Sequence, residues 1–182
     1  VGAEVNKVLL PLRGRPLLAW AVTTALAVPG VDPVVVVCRP GEREVIGSAL
    51  APYLGESEVL LIDGGTTRQA SEQAALDLLA PQVAEGSIDV IAIHDGARPL
   101  AGVDLFEQVI AAAREYGGAV PTVVLPALVP TTGSIASEQA GALVGVQTPQ
   151  AFRAAPLLAA YAAATAAGFD GTDTAAAFVE FA

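Results

Sequence analysis

The sequence predicts an α/β fold in which a mainly parallel sheet carries helices on both faces. Three observations predict it. Short apolar runs rich in β-branched residues, such as Val34–Val37 and Ile88–Ile93, alternate with longer segments of helical spacing. That alternation belongs to strands joined by crossover helices. Polar turns follow the apolar runs, and in open α/β sheets the carboxyl ends of strands are where ligands sit.

Taken in order, residues 1–7 show no periodicity, and Lys7 is the only lysine of the chain. Val8–Leu12 is a short apolar stretch, and Arg13-Gly14-Arg15-Pro16 turns into a helix whose first position suits Pro16. Leu17, Leu18, Ala21, Val22, Ala25 and Leu26 recur at helical spacing, and Pro29-Gly30 stops that helix. Val34–Val37 is a buried strand ending at Cys38, and Glu42 to about Leu50 is a short helix. Val59–Ile62 is the next strand and runs into Asp63-Gly64-Gly65-Thr66-Thr67-Arg68-Gln69-Ala70-Ser71. The paired glycines predict a tight turn, and Thr66 or Thr67 caps a helix that continues to about Leu79, before Pro81. Ile88–Ile93 is a strand that stops at the turn His94–Pro99.

Asp104 to about Tyr116 carries Leu105, Val109, Ile110 and Ala113 on one helical face, and Gly117-Gly118 ends it. Ala119–Leu125 reads as a strand made irregular or placed at an edge by Pro121. Residues 126–142 are rich in Pro, Thr, Ser and Gly and read as a projecting loop or arm. Val144–Val146 leads into the turn Gln147–Phe152. Ala154–Ala167 is an alanine-rich helix suited to packing or an oligomer surface, and Thr172 or Asp173 caps a last helix ending near Phe181. No repeat or domain break interrupts residues 1–182, so a single domain is expected.

Composition narrows the function. With 53% hydrophobic and 15% charged residues the chain can bury a full core. No apolar run approaches the roughly 20 residues that span a bilayer, so no membrane partner is expected. One cysteine, Cys38, leaves no internal disulfide framework and suggests the cytoplasm; with a single histidine it nearly excludes a Cys/His zinc site. A formal net charge of −10 disfavours nucleic acid. The chain lacks an initiating methionine and is read as trimmed.

Only nine Lys and Arg residues occur, so their positions carry information. Lys7, Arg13, Arg15, Arg68 and Arg98 fall at or near the turns, the pattern of a phosphate-bearing ligand. In the turn after the Ile88–Ile93 strand, Asp95 can hold a metal and Arg98 a phosphate. Each has a plainer alternative. Asp95 can cap its own turn, Arg98 can form a surface ion pair of little value, and His94 is better read as a hydrogen-bonded structural residue than as a catalyst. The Gly64-Gly65 turn and the free helix N-terminus after it suit a polar or anionic ligand. There is no Walker P-loop and no GxGxxG.

Together these pieces resemble the 2-C-methyl-D-erythritol 4-phosphate cytidylyltransferases of the non-mevalonate isoprenoid pathway. The pieces are Lys7 with the Leu-Pro-Leu-Arg-Gly-Arg-Pro-Leu-Leu run after it, Gly64–Ser71, His94-Asp95-Gly96-Ala97-Arg98-Pro99, Gln147-Thr148-Pro149-Gln150-Ala151-Phe152, and Thr172-Asp173 ahead of the last helix. They stand in order over essentially the whole chain. The resemblance implies a Rossmann-like nucleotidyltransferase fold of the nucleotide-diphospho-sugar transferase type. It also implies CTP as nucleotide donor, Mg²⁺ as cofactor, and a homodimer joined by an arm at about residues 126–145.

Carried over, it gives Lys7, Asp95 and Arg98 catalytic roles. Lys7, Gly64, Gly65, Thr66, Arg68, Ser71 and Asp95 would hold the nucleotide. Asp95, Gly96, Arg98, Thr148, Thr172 and Asp173 would hold the acceptor, and Asp95 the metal. It further implies a first strand and glycine-rich loop ahead of Lys7, and a segment with a second catalytic lysine beyond Ala182. The family's arm offers an Asp-Thr pair and an Arg where Pro130-Thr131-Thr132 and Gln139-Ala140 stand, and its acid pair after Thr172 is Asp173-Thr174. The related ribitol-5-phosphate cytidylyltransferases share most of these motifs, and a non-catalytic nucleotide-binding paralogue stays open.

Overall fold

A computed structural model describes residues 6–125, 144–169, 171 and 174–182. A short 3₁₀ turn, Lys7–Leu9, precedes a two-residue hairpin of β1 (Pro11–Leu12) and β2 (Arg15–Pro16). There follow α1 (Leu17–Leu26), β3 (Val35–Cys38), α2 (Arg43–Leu54), β4 (Leu60–Asp63), α3 (Arg68–Ala84), β5 (Val90–Ile93) and α4 (Val103–Tyr116). Next come β6 (Gly118–Ala119), β7 (Thr122–Val124), β8 (Val144–Val146), β9 (Gln150–Arg153), α5 (Ala154–Ala166) and α6 (Thr174–Phe181).

The α/β expectation holds, and β3 and β5 have helices on both faces. Val36 and Cys38 of β3 pack with Leu18, Val22, Ile46 and Leu50 of α1 and α2, whereas Val35 packs against the opposite cluster. In β5, Ile91 and Ile93 face the cluster of Leu76, Leu157, Tyr161 and Ala177, while Val90 and Ala92 face Val109 and Ala113 of α4. Successive strand residues therefore serve opposite layers, which is why both strands read as unbroken apolar runs. One layer is α1, α2 and α4; the other is α3, α5 and α6.

The described strands do not confirm a mainly parallel sheet. Among the described residues only β3 and β4 pair in parallel; β5–β9, β6–β9, β7–β8 and β1–β2 are antiparallel. The cause is β9. The stretch Gln147–Phe152 reads as a turn, but Gln150–Arg153 forms a strand between β5 and β6 and runs against both. It is buried through Gln150, Ala151 and Phe152 at 1%, 0% and 2% exposure. The reading of Ala119–Leu125 as one strand is also corrected: it divides into β6 and β7 around Val120-Pro121.

Two helices pass through prolines that the sequence reads as boundaries or leaves aside. Pro52 lies in the last turn of α2 and Pro81 in the last turn of α3. Proline forfeits one i→i−4 bond, a loss the packed faces of these helices offset. The alanine-rich α5 is a packing helix: Ala154, Leu157, Ala160, Tyr161 and Ala164 are buried, and it rests on α6, α3 and β9. Removing the Leu157 side chain beyond Cβ would cost about 2–5 kcal/mol.

Candidate active site

Among the described residues β3 pairs only with β4 and β5 only with β9, so each keeps one free edge. A cleft of about 630 Å³ runs along those edges, lined mostly by apolar residues such as Val34–Val37, Val90–Ile93, Leu76 and Leu79, with polar groups beside them. Its wall includes Lys7, Arg68, Ser71, Asp95 and Gly96, together with Asn6, Glu42, Glu72 and His94. Residues from three separate segments, near 6–8, 68–72 and 94–96, thus line one cleft.

Lys7 begins the 3₁₀ turn and is exposed. Asn6 fixes that turn: its Oδ1 accepts from the Val8 amide at 3.3 Å and its Nδ2 donates to Glu42 Oε2 at 2.7 Å. The Gly64–Ser71 segment is built by close approach. Thr67 caps α3, its Oγ1 accepting from the Ala70 amide at 3.1 Å. Ser71 Oγ donates to the Thr67 carbonyl at 2.8 Å and accepts from the Gly65 amide at 3.1 Å. A Cβ on Gly64 would meet Ser71 Oγ at 2.6 Å, and one on Gly65 would meet Ala70 Cβ at 2.4 Å. Absence of a side chain, rather than a left-handed backbone, is what this turn requires. Arg68 pairs with Glu72 at 2.8 Å, one helical turn on.

The turn after β5 is held by reciprocal bonds. Asp95 does cap its own turn: its carbonyl accepts from the Arg98 amide at 2.9 Å, and its Oδ1 accepts from the Ala97 amide at 2.9 Å. Its other oxygen stands 3.6 Å from Arg98 Nε. Arg98 also donates to Gln147 Oε1 in a short contact. His94 Nε2 lies 3.0 Å from the Arg98 carbonyl, which can only accept, so this nitrogen carries the proton. Nδ1 then accepts from Thr148 Oγ1 at 3.0 Å, and Thr148 Oγ1 accepts from the Asp95 amide at 3.2 Å. Burial holds the His94 imidazole below its ordinary range, the carbonyl of Arg98 and the charge of Asp95 opposing that only in part. His94 is the structural residue the sequence suggests, packed edge-on against Phe106 at 5.1 Å.

The structure therefore brings Lys7, Arg68, Ser71, Asp95 and Gly96 to one cavity. Arg98 and Thr148 lie outside its wall but are bonded to Asp95, and Gly65 is bonded to Ser71. Gly64 packs over Ser71 and Val37, while Thr66 is exposed in the loop before the cap. Thr172, Asp173 and the arm at 126–143 lie outside the described residues. Arg15 does not join the site. Its guanidinium stacks 4.5 Å from Trp20 and 4.7 Å from Tyr53 and donates to the Ala19 carbonyl at 2.6 Å. Cys38 is a buried core residue whose thiol is pushed up by burial. Glu72 and Asn6 were not marked by the sequence; apart from Arg68 and Val8 nearby, their partners Tyr161, Thr174 and Glu42 lie 36 to 102 residues away, and the bond of Gln147 to Arg98 spans 49.

An α/β sheet with basic groups and an acid at the end of a strand is the architecture of a nucleotide-binding transferase, and comparison with known proteins gives the same class. The family model for 2-C-methyl-D-erythritol 4-phosphate cytidylyltransferase (IspD) matches residues 1–181. The protein of that name from Synechococcus is 33% identical over 98% of this chain and 77% of its own length. Its counterpart from Syntrophotalea carbinolica is 39% identical over 96% and 75%. Among solved structures, the 4-diphosphocytidyl-2C-methyl-D-erythritol synthase of Anaerococcus prevotii superposes with a TM-score of 0.77 at 26% identity, covering 93% of this chain and 74% of that one. The cytidylyltransferase of Thermus thermophilus gives 0.75 at 28%, covering 97% and 80%. The chain belongs to the 2-C-methyl-D-erythritol 4-phosphate cytidylyltransferase family.

Proposed function

We propose that this chain joins CTP to 2-C-methyl-D-erythritol 4-phosphate, releasing pyrophosphate and 4-diphosphocytidyl-2-C-methyl-D-erythritol, a step in isoprenoid precursor synthesis. The observation that carries the reading is that Lys7, Arg68, Ser71 and Asp95, from three separate motifs, wall one cavity. An acceptor phosphate oxygen attacks the α-phosphorus of CTP in line. A new phosphorus–oxygen bond forms as the bond to the β-phosphate breaks, and pyrophosphate carries away the electron pair. The acceptor phosphate is already anionic, so the step needs no base. What the protein must supply is position and positive charge.

Lys7 and Arg68 supply that charge on the CTP side, and the Gly64–Ser71 turn presents backbone groups to the cytosine. Gly96 lets the 94–98 turn lie close: a Cβ there would meet Leu18 Cδ1 at 2.7 Å. Asp95 and Arg98 face the acceptor, with Thr172 and Asp173. Thr148 is 8% exposed with its hydroxyl engaged by His94 and Asp95, so we assign it to holding the turn. The described residues hold no group of three or more His, Cys, Asp or Glu that could enclose a metal. Asp95 would supply one carboxylate to a cation whose other ligands would be phosphate oxygens and water, a donor set that would suit Mg²⁺. When bound, that ion neutralises phosphate charge.

The same reading makes the chain a cytoplasmic homodimer joined through residues 126–145. In support, Val123 and Val124 on β7 and Val144 and Val146 on β8, at the two ends of that segment, are 40% to 67% exposed. Among the described residues no helix is long and apolar enough to cross a membrane. The test is a panel of CTP, UTP and GTP against 2-C-methyl-D-erythritol 4-phosphate and ribitol 5-phosphate, followed by pyrophosphate release. Turnover only with CTP and the methylerythritol phosphate is expected. Preference for ribitol 5-phosphate replaces the acceptor, and CTP binding without pyrophosphate release replaces the enzyme with a nucleotide-binding protein.

A further inference from the structure

Glu72 lies on the second turn of α3 with its side chain 12% exposed, and it shares the cavity wall with Arg68 and Ser71. A carboxylate so placed needs partners to offset lost hydration. Its Oε1 accepts from Arg68 Nε at 2.8 Å. Its Oε2 accepts from Thr174 Oγ1 at 3.0 Å and, in a short contact, from the Tyr161 hydroxyl. Tyr161 and Thr174 are 1% and 0% exposed. Burial and the charge of Glu72 raise the Tyr161 phenol far above its ordinary range, so it stays a donor.

Gln69, 8% exposed, makes a second link across the same gap. Its Nε2 donates to the Phe169 carbonyl at 2.8 Å and its Oε1 accepts from the Gly171 amide at 2.7 Å. Two neighbouring side chains at the start of α3 thus tie this helix N-terminus to Phe169, Gly171 and Thr174. Under the function proposed above, the first handles the nucleotide, and Gly171 and Thr174 adjoin in sequence the Thr172-Asp173 pair that the reading assigns to the acceptor.

We propose that Glu72 is a positioning residue that couples the two halves of the site. One oxygen directs the Arg68 guanidinium, which at 46% side-chain exposure has few other constraints, and the other is held by Tyr161 of α5 and by Thr174 at the start of α6. In-line transfer between two polyanions requires both to be registered at once, and a single carboxylate bonded to both sides provides that register.

The inference rests on the cytidylyltransferase reading, and the experiment separates the two. Pyrophosphate release from CTP and 2-C-methyl-D-erythritol 4-phosphate is measured for the wild type, Glu72→Gln, Arg68→Ala and the double variant, with Tm for each. Glu72→Gln keeps the shape and an acceptor for Tyr161 but removes the charge facing Arg68. It is expected to raise KM for CTP by roughly tenfold. In the Arg68→Ala background that rise should shrink to within about twofold, the mark of two residues acting as one. Tyr161→Phe, a second variant that keeps the ring, should raise KM for the acceptor and leave KM for CTP unchanged. Additive effects of Glu72→Gln and Arg68→Ala, or a lowered Tm with both KM values at wild-type level, overturn the proposal and leave the reading of the enzyme intact. Should Glu72→Gln fail to fold, an unchanged acceptor KM in Tyr161→Phe overturns it. An inactive wild type removes both.

Discussion

Thr148 offers the sharpest test of how the turn after β5 is held. Replacing it with valine keeps the shape and deletes one hydroxyl. That hydroxyl accepts from the Asp95 amide at 3.2 Å and donates to His94 Nδ1 at 3.0 Å. Valine leaves both partners unpaired in a site that is already 8% exposed at Thr148 itself. Each stranded polar group costs about 1–3 kcal/mol. His94 and Asp95 are half-buried, so the lower part of that range applies, and Thr148→Val should lose about 2–3 kcal/mol. With a urea m-value of about 2 kcal/mol per molar, the midpoint falls by about 1–1.5 M. Thr148→Ser keeps the hydroxyl and loses one methyl, about 0.8 kcal/mol, or less than 0.5 M. Urea unfolding followed by far-UV circular dichroism measures all three proteins. A valine variant as stable as the wild type, or a serine variant as damaged as the valine one, would refute the reasoning.

The same geometry yields further expectations. His94 has its imidazole lowered below the ordinary value of 6.5, so the unfolded chain takes up its proton at higher pH than the folded one. Its contribution to stability is therefore complete above about pH 6.5 and falls as pH drops toward the folded value, a slope that His94→Gln should flatten in a urea titration across pH. Gly65→Ala drives a methyl to 2.4 Å from Ala70 Cβ, so the turn must open. CTP affinity by calorimetry should fall at least about tenfold while the core, remote from the loop, keeps its Tm within a few degrees. Arg98→Lys cannot hold both Gln147 and Asp95 as a fork does, and kcat/KM should fall roughly a hundredfold with circular dichroism unchanged.

What was legible in the sequence was whatever had a local cause. Val34–Val37 and Ile88–Ile93 announced buried strands because both faces of each are covered, and Thr67 announced the start of α3 because a cap acts within one turn. The mutual grouping of Lys7, Arg68 and Asp95 could be anticipated from the scarcity of bases, but Arg15 shows the limit of that argument. Its charge is absorbed by the rings of Trp20 and Tyr53 rather than by a ligand. β9 escaped notice because Gln-Ala-Phe-Arg has no β-branched residue and no alternation; its place in the sheet is set by Phe152 and Ala151 filling opposite layers. That one strand also runs against the expected parallel order. Pro81 was read as lying beyond α3, but it costs only a single bond in the final turn. Glu72 carried only its spacing of one helical turn from Arg68 as a signal, since Tyr161 and Thr174 reach it from 89 and 102 residues away.

The central claim is that Asp95 works at the reacting phosphates instead of merely shaping its turn. Asp95→Asn separates the two, because the amide oxygen still accepts from Ala97 while the charge is gone. Pyrophosphate release from CTP and 2-C-methyl-D-erythritol 4-phosphate should fall by roughly 10²–10³-fold with the Tm unchanged. Turnover at the wild-type rate in a folded Asp95→Asn protein would contradict the account.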